Sequence, residues 1–201
     1  MKKIMIIAVI LASACTGFTQ QSGSAFTANW NLGTMTSKSF VKGLSTNGVN
    51  IGYGQAIGKG FSAGLDLGWN TFYTYYPRQT NQSKDGAFTT DMYKSLFTVP
   101  VTVSITKNFL QQGIFSPYVK IGVGTMYSEQ QLFYNIYEEE QSNWGFAAIP
   151  EIGLHIKTAA DNRWAFNLGA QYRYATNKEK DYNINNLQSF NFNAGLSWSL
   201  R

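Results

Sequence analysis

Five ionisable residues lie where polar and apolar side chains alternate along the chain: Asp66, Lys120, Glu151, His155 and Arg173. Period-two alternation places every second side chain on one face of a strand. Glu151 and His155, four residues apart, therefore share a face. A hydrolase also needs a nucleophile and an orienting partner beside such a base. We interpret His155, the single histidine, as a hydrogen-bonded interior residue and expect no catalytic residue.

The other charges are expected to meet in one layer. Asp66, Lys120 and Glu151 each lie about five residues from the end of their alternating run that adjoins a short connector. Opposed residues of antiparallel neighbours stand at equal height, so Lys120 and Glu151 should pair. Asp66 would reach them from the far wall, with Arg173 higher up. Because buried charges must be paired, the layer predicts a polar plug, and a gated polar conduit is the alternative.

Composition excludes several classes of protein. Without Lys2 and Lys3, which we expect to be removed, 14 basic residues face 11 acidic ones, and an excess of three does not indicate nucleic-acid binding. The single cysteine, Cys15, permits no intramolecular disulfide and no Cys/His zinc spacing. We expect no metal and no cofactor. Only 13% of the residues are charged, about half the share usual in soluble domains.

The N-terminal residues have the three-part layout of a secretory signal peptide. Lys2 and Lys3 precede an apolar run over residues 4–12 and small residues over 13–17. We predict a cleaved signal peptide over residues 1–20 and one domain over 21–201, with cleavage after Ala14 or just before Gln20 or Gln21. Residues 11–15 also resemble a lipoprotein box, in which Cys15 would be lipidated. No later window is apolar enough for a helical membrane span.

Strict alternation from Ser24 onward predicts strands throughout. The alternating runs number eight: about 24–35, 48–57, 60–76, 91–107, 113–134, 143–158, 163–176 and 186–201. Connectors after even-numbered runs are short, whereas those after odd-numbered runs, such as residues 78–90, are longer and polar. This pattern is typical of an all-β, eight-stranded antiparallel up-and-down transmembrane barrel. Short turns and both chain ends would then be periplasmic.

The two faces of each run predict which solvent lies outside. The last run places Phe192, Leu196 and Trp198 opposite Asn193 and Ser197. The apolar faces carry no charge in their central stretches, where Lys or Arg facing lipid costs roughly 2–4 kcal/mol. Aromatic residues gather toward the run ends, as in interfacial girdles. A soluble lipocalin-like carrier is the alternative, but its outer face should be rich in Lys and Glu.

Two prolines interrupt this pattern. Pro100 and Pro150 lie in the middle of runs, and proline lacks the N–H that a ladder needs. The alternation continues through both without slipping. We therefore expect a local bulge or a lost ladder hydrogen bond at each.

Residues 115–124 read Phe-Ser-Pro-Tyr-Val-Lys-Ile-Gly-Val-Gly. This segment resembles the small OmpA-like and OmpW-like outer-membrane β-barrel family, in which a Pro-Tyr pair opens a strand followed by Gly-x-Gly. The resemblance implies an integral outer-membrane barrel. Members include structural proteins, adhesins and narrow channels, so the fold alone assigns no activity.

The predicted loops carry charges of both signs. We expect solvated surface there, or contact of the basic residues with lipopolysaccharide phosphates and of the acidic triplet with a divalent cation. The candidates are Lys38, Lys42, Arg78, Lys84, Glu138, Glu139 and Glu140.

The leading functional hypothesis is a non-enzymatic, monomeric outer-membrane protein with a structural or surface-interaction role. Its partners would be outer-membrane lipid, lipopolysaccharide and the barrel-assembly machinery. A narrow channel or transporter for small solutes, hydrophobic ones included, is the first alternative. A lipid-modifying enzyme is the second, although its catalytic groups would be expected toward the outer leaflet.

Overall fold

The structure is a computed structural model that describes residues 23–36, 40–83, 86–110, 113–134, 137–159, 162–179, 182 and 184–200. The predicted signal peptide over residues 1–20 lies outside the described residues. The described residues form nine strands. They are β1 (Ser24–Met35), β2 (Leu44–Ser45), β3 (Asn47–Gly58), β4 (Phe61–Ser83), β5 (Gly86–Asn108), β6 (Phe115–Tyr134), β7 (Tyr137–Lys157), β8 (Trp164–Ala175) and β9 (Leu187–Leu200).

Eight of these strands close into a ring. Consecutive strands pair antiparallel from β3 to β9, β1 pairs with β3, and β1 also pairs with β9 from Ser24↔Leu200 to Met35↔Ser189. The two-residue β2 pairs with the end of β1. The predicted eight-stranded antiparallel barrel is confirmed. No helix in the described part of the chain has the length and apolar character needed to cross a membrane.

The ring has a short-turn rim and a hairpin rim. The short-turn rim carries both ends of the barrel and the connections around residues 59–60, 109–114 and 158–163. The hairpin rim carries the β4–β5 and β6–β7 hairpins, a first loop between β1 and β3, and a fourth loop between β8 and β9.

Two predicted loops are wrong, because their residues continue the strands. Residues 78–90 were expected as a polar loop, yet β4 runs to Ser83 and β5 starts at Gly86, which puts Arg78 in a strand. Glu138, Glu139 and Glu140 likewise belong to β7. These extensions have water on both faces, so no apolar alternation marks them as strands. Lys38 and Lys84 lie outside the described residues.

The predicted faces of the strands are confirmed. Apolar side chains point outward and are exposed, such as Leu65 at 58% and Val103 at 56%, whereas inward-facing Asn, Ser and Thr are buried. Aromatic pairs flank this apolar band. Trp164 and Trp198 stack with ring centroids 5.8 Å apart near the short-turn rim. Tyrosines and Trp144 form the other girdle, toward the hairpin rim. Such a surface is suited to hydrocarbon with an interface on either side.

Both mid-strand prolines interrupt one ladder without shifting its register. The β4–β5 pairing is missing between Leu67↔Val101 and Asn70↔Thr98, opposite Pro100. The β7–β8 pairing is missing between Glu151↔Gln171 and Ala148↔Tyr174, at Pro150. Of the two expected outcomes, the lost ladder bond is the one observed. Two consecutive residue pairs are missing from one ladder at each proline, and the faces of the strand are unchanged.

Close packing of the strands leaves no room for a side chain at Gly195. A Cβ there would stand 2.1 Å from the carbonyl oxygen of Ala28 and 2.5 Å from the Cα of Asn29, whereas a Cβ at Gly54 would meet no atom within 4 Å. We expect Gly195→Ala to lower the free energy of unfolding by about 1–3 kcal/mol, because backbone cannot move aside. Gly54→Ala should leave it unchanged. Reversible guanidinium unfolding in lipid vesicles measures both, and equal stabilities would contradict this packing.

Candidate functional site

The barrel interior contains a charged centre around Lys120. Its Nζ lies 3.2 Å from Asp66 Oδ1 and 3.2 Å from Glu151 Oε2. Lys120 and Glu151 are Cα partners of the β6–β7 ladder, as the sequence predicted, and Asp66 reaches them from β4. A single ammonium group therefore bridges two carboxylates that belong to opposite walls.

Glu151 accepts further hydrogen bonds from neutral donors. Only 2% of the residue is exposed. Its carboxylate accepts from the Tyr118 hydroxyl at 2.6 Å, from Gln171 Nε2 at 2.9 Å and from Asn193 Nδ2 at 3.2 Å. A carboxylate removed from water needs these donors together with its cation. Three neutral donors and one ammonium group therefore satisfy the oxygens of the Glu151 carboxylate.

Arg173 lies in the same interior but contacts neutral groups. Only 3% of the residue is exposed. Its guanidinium donates to Gln171 Oε1 at 2.7 Å, to Asn70 Oδ1 at 2.6 Å and to Asn50 Oδ1 at 2.8 Å. The two carboxylates, Lys120 and Arg173 balance in formal charge, so this interior layer is neutral as a whole.

An asparagine network connects these groups across the barrel. Asn70 Nδ2 donates to Asn31 Oδ1 at 2.6 Å, Asn50 Nδ2 donates to Asn193 Oδ1 at 2.8 Å, and Asn31 donates to Asn193. Each amide can donate and accept, so it can satisfy a charged neighbour and another amide together. The sequence reasoning missed these residues. Recurrent Asn at inward positions of different strands was the available signal.

His155 lies nearer the short-turn rim and outside the charged centre. Its Nδ1 is 2.6 Å from Asn167 Oδ1, and Asn167 Nδ2 donates to Asn29 Oδ1 at 3.1 Å. The imidazole stacks on Tyr118 with ring centroids 4.3 Å apart. Ring and amide contacts therefore hold His155 in place, in agreement with a hydrogen-bonded interior role.

Ser62 belongs to a Gly-x-Ser-x-Gly sequence over residues 60–64 that the candidate residues above did not include. In hydrolases this sequence marks a nucleophile where a strand turns sharply into a helix. Here it lies at the start of β4 and continues as strand. The single histidine, His155, which a nucleophilic serine would need as its base, is hydrogen-bonded to Asn167 instead. The segment therefore lacks the backbone turn that would present a nucleophile.

An apolar cluster, which we call the cap, fills the barrel interior at the hairpin rim. The first loop contributes Phe40 and Val41, and the fourth loop contributes Ile184. These side chains pack on inward residues of the strands, and the cluster is buried. Its strand members are Phe72, Leu96, Met126, Ala147, Ala175 and Leu187. The sequence expectation of solvated loops concerned their charged residues, and the inward packing of these apolar side chains was not predicted.

Hydrogen bonds fasten both loops to the wall. The Thr74 hydroxyl accepts from the Lys42 backbone N–H at 2.6 Å and donates to the Lys42 carbonyl at 2.7 Å. In the fourth loop, the Thr176 backbone N–H donates to the Phe146 carbonyl at 2.9 Å, and Asn177 Nδ2 donates to the Met126 carbonyl at 3.0 Å. The loops are thus attached to the strands, and their apolar side chains point into the barrel.

Free space inside the barrel is unevenly distributed. Around Lys120 and Arg173 it amounts to about 20 Å³. A cavity of about 380 Å³ lies between this layer and the short-turn rim. A polar network and an apolar cap thus follow one another from that cavity to the hairpin rim.

The loop candidates do not converge on a site. Lys42 is exposed in the first loop and Arg78 is exposed in β4. Glu138, Glu139 and Glu140 are exposed in β7, and Glu139 accepts from the Tyr134 hydroxyl at 2.6 Å. Within the described ranges, no three His, Cys, Asp or Glu side chains are arranged to hold a metal ion.

A closed barrel with an apolar exterior and a hydrogen-bonded polar interior defines the class of membrane-embedded β-barrels. The chain belongs to the family of the outer membrane protein beta-barrel domain, whose model matches residues 5–199. It is therefore an integral outer-membrane protein. A search of curated proteins returned no match.

Solved structures of similar fold include three outer-membrane proteins. The attachment invasion locus protein Ail of Yersinia pestis is 13% identical with a TM-score of 0.56, over 90% of this chain and 100% of that one. Neisserial surface protein A is 15% identical with a TM-score of 0.52, over 88% and 95%. The outer membrane protease OmpT of Escherichia coli is 8% identical with a TM-score of 0.55, over 92% and 98%. At these identities the likeness concerns the fold alone.

Proposed function

We propose that this protein is a non-enzymatic outer-membrane barrel with a closed lumen, and that it acts through its structure and its surface. The main support is that two layers of side chains fill the lumen. The polar network leaves about 20 Å³ free, and the apolar cap lies beyond it. An eight-stranded barrel is just wide enough for side chains to fill. A lumen filled in this way supports the plug over the conduit.

The orientation is part of the same proposal. Short turns face the periplasm in barrels of this type, so the short-turn rim and both chain ends would be periplasmic. The β4–β5 and β6–β7 hairpins would then extend from the cell surface. Exposed Lys42 and Arg78 would contact lipopolysaccharide phosphates, and the barrel would act as a monomer. Ail and Neisserial surface protein A, named for attachment and for the cell surface, share this fold.

Planar-bilayer recordings test the closed lumen. We expect the purified, heat-modifiable barrel to produce no conductance steps, because neither layer leaves a water path. Gly54→Phe, which adds a ring to the inner wall, should be equally silent. A steady conductance in the native protein that Gly54→Phe abolishes would contradict the closed lumen and favour a narrow channel.

A deletion strain tests the structural and surface role. Loss of the protein should raise sensitivity to vancomycin, which an intact outer membrane excludes. The full-length chain should restore resistance. A second chain, whose β4–β5 hairpin is shortened between Tyr76 and Asp91, distinguishes a role of the barrel from a role of the hairpin. Restoration by the shortened chain would assign the role to the barrel, and failure would assign it to the hairpin. Unchanged sensitivity in the deletion strain would contradict a role in membrane integrity.

A further inference from the structure

The cavity at the short-turn rim exists because one stretch of the inner wall lacks side chains. A run of small inward residues lines it on β3, on β4 and at the turn between them. These include Gly52, Gly54, Ala56, Gly58, Gly60 and Gly64. The resulting volume of about 380 Å³ falls within the range of small-molecule sites. In the layer above, side chains from all walls meet and leave about 20 Å³.

Cations line the open end of this cavity. Lys59 lies in the β3–β4 turn, Lys157 ends β7 and Arg163 precedes β8, and all three border the cavity. The carboxylates that border it, Asp66 and Glu151, are already paired with Lys120. Among the described residues these two ion pairs are the ones formed, so the three rim cations have no described carboxylate partner.

The cavity wall supplies neutral groups suited to a polar solute. The partly exposed hydroxyls of Ser62 and Thr106 border it. Ser104 and Asn167 also border it, but they are buried and are hydrogen-bonded within the wall. His155, whose ring stacks on buried Tyr118, borders the cavity as well. Four cations and two carboxylates border the cavity, and a net positive lining concentrates anionic solutes. Polar groups that converge in a concave space then orient what enters.

We propose that this cavity binds a small anionic solute, bearing a carboxylate or a phosphate and no larger than a monosaccharide or a dipeptide, that enters from the short-turn rim. In the orientation proposed above, such a solute comes from the periplasm. The anion lies against Lys157 and Arg163, and the neutral part of the solute occupies the space over Gly54. The site is a pocket, since the polar network closes its inner end.

Isothermal titration calorimetry on the full barrel in a non-ionic detergent tests this site. The probes form two matched pairs: glucose 6-phosphate with glucose, and N-acetylmuramic acid with N-acetylglucosamine. We expect at least one anionic probe to bind at least tenfold more tightly than its neutral counterpart. The pair that responds identifies phosphate or carboxylate as the recognised group. Failure of both anions to bind, or equal binding of the neutral sugars, overturns the proposal.

Variants locate the binding inside the cavity. Gly54→Phe fills the space and should weaken binding at least tenfold, since a Cβ there meets no atom within 4 Å and the backbone is unstrained. Lys157→Gln and Arg163→Gln should each weaken it about fivefold or more. Lys42→Gln at the opposite rim and lipid-facing Val103→Phe serve as matched controls and should bind as the native protein does.

Gel mobility before and after boiling verifies that each variant is folded, and Gly54→Leu replaces Gly54→Phe if the larger side chain prevents closure. Native-like binding in a folded cavity-filled variant would show that the rim cations bind anions without the cavity, which overturns the proposal. An equal loss in Lys42→Gln would do the same, because charge at either rim would then suffice.

Discussion

Lys120→Met is expected to lower the free energy of unfolding by about 3–5 kcal/mol, the range for removing one partner of a buried ion pair. Lys120 lies 3.2 Å from each of two carboxylates, and Glu151 is 2% exposed. Met fills a similar volume, so the cost arises from charge. Asp66 and Glu151 would be left facing each other with no cation between them.

Guanidinium unfolding of the barrel in lipid vesicles measures this loss, with Lys42→Met as the matched control. Lys42 is exposed in the first loop, so its replacement should change stability by less than about 0.5 kcal/mol. Adding Asp66→Asn and Glu151→Gln to Lys120→Met should recover part of the loss, because a neutral hydrogen-bonded cluster avoids the uncompensated charge. Equal stability of Lys120→Met and Lys42→Met would show that the charged centre does not stabilise the barrel.

Leu96→Ala is expected to lower the free energy of unfolding by about 2–5 kcal/mol, as for leucines in soluble cores. Leu96 is fully buried in the cap, against residues from the strands and the loops. The substitution leaves a cavity that the surrounding strands cannot collapse to fill. Its effect should include loosening of the first and fourth loops, which rest on this cluster.

The matched control is Leu65→Ala on the lipid-facing side, where 58% of the leucine is exposed. Lipid chains are as apolar as leucine and can occupy the vacated space, so a clearly smaller loss is expected there. Unfolding in the same vesicles compares the two variants. Proteolysis at the first and fourth loops should accelerate in Leu96→Ala alone. Equal losses at both positions would mean that the cap is not a packed core.

The strands and the assignment of their faces were readable from the sequence. Each strand has lipid on one side and a crowded polar interior on the other. Apolar and polar residues therefore alternate along the sequence, and the alternation indicates which face each side chain occupies. Strand β9 shows this plainly, with Phe192 and Leu196 outward and Asn193 inward. The pairing of Lys120 with Glu151 was also predictable, because antiparallel neighbours joined by a hairpin share one register.

The hairpin extensions could not be read in the same way. Around Arg78 and Glu139 the strands have left the lipid, so water lies on both faces and the alternation that marks a strand ends. Backbone pairing with the neighbouring strand continues without that pattern. A polar segment that reads as a loop therefore forms a ladder once its partner is alongside.

Three interior features were decided by the tertiary structure. The partners of Arg173 are Asn50 and Asn70 on distant strands, and closure of the ring determines which strands face each other. Phe40 and Ile184 lie in loops, where no periodicity indicates that they enter the barrel. The rim cavity depends on small residues of β3 and β4 facing the same space. Alternation specifies a side chain's face, whereas contacts across the lumen depend on how the whole sheet closes.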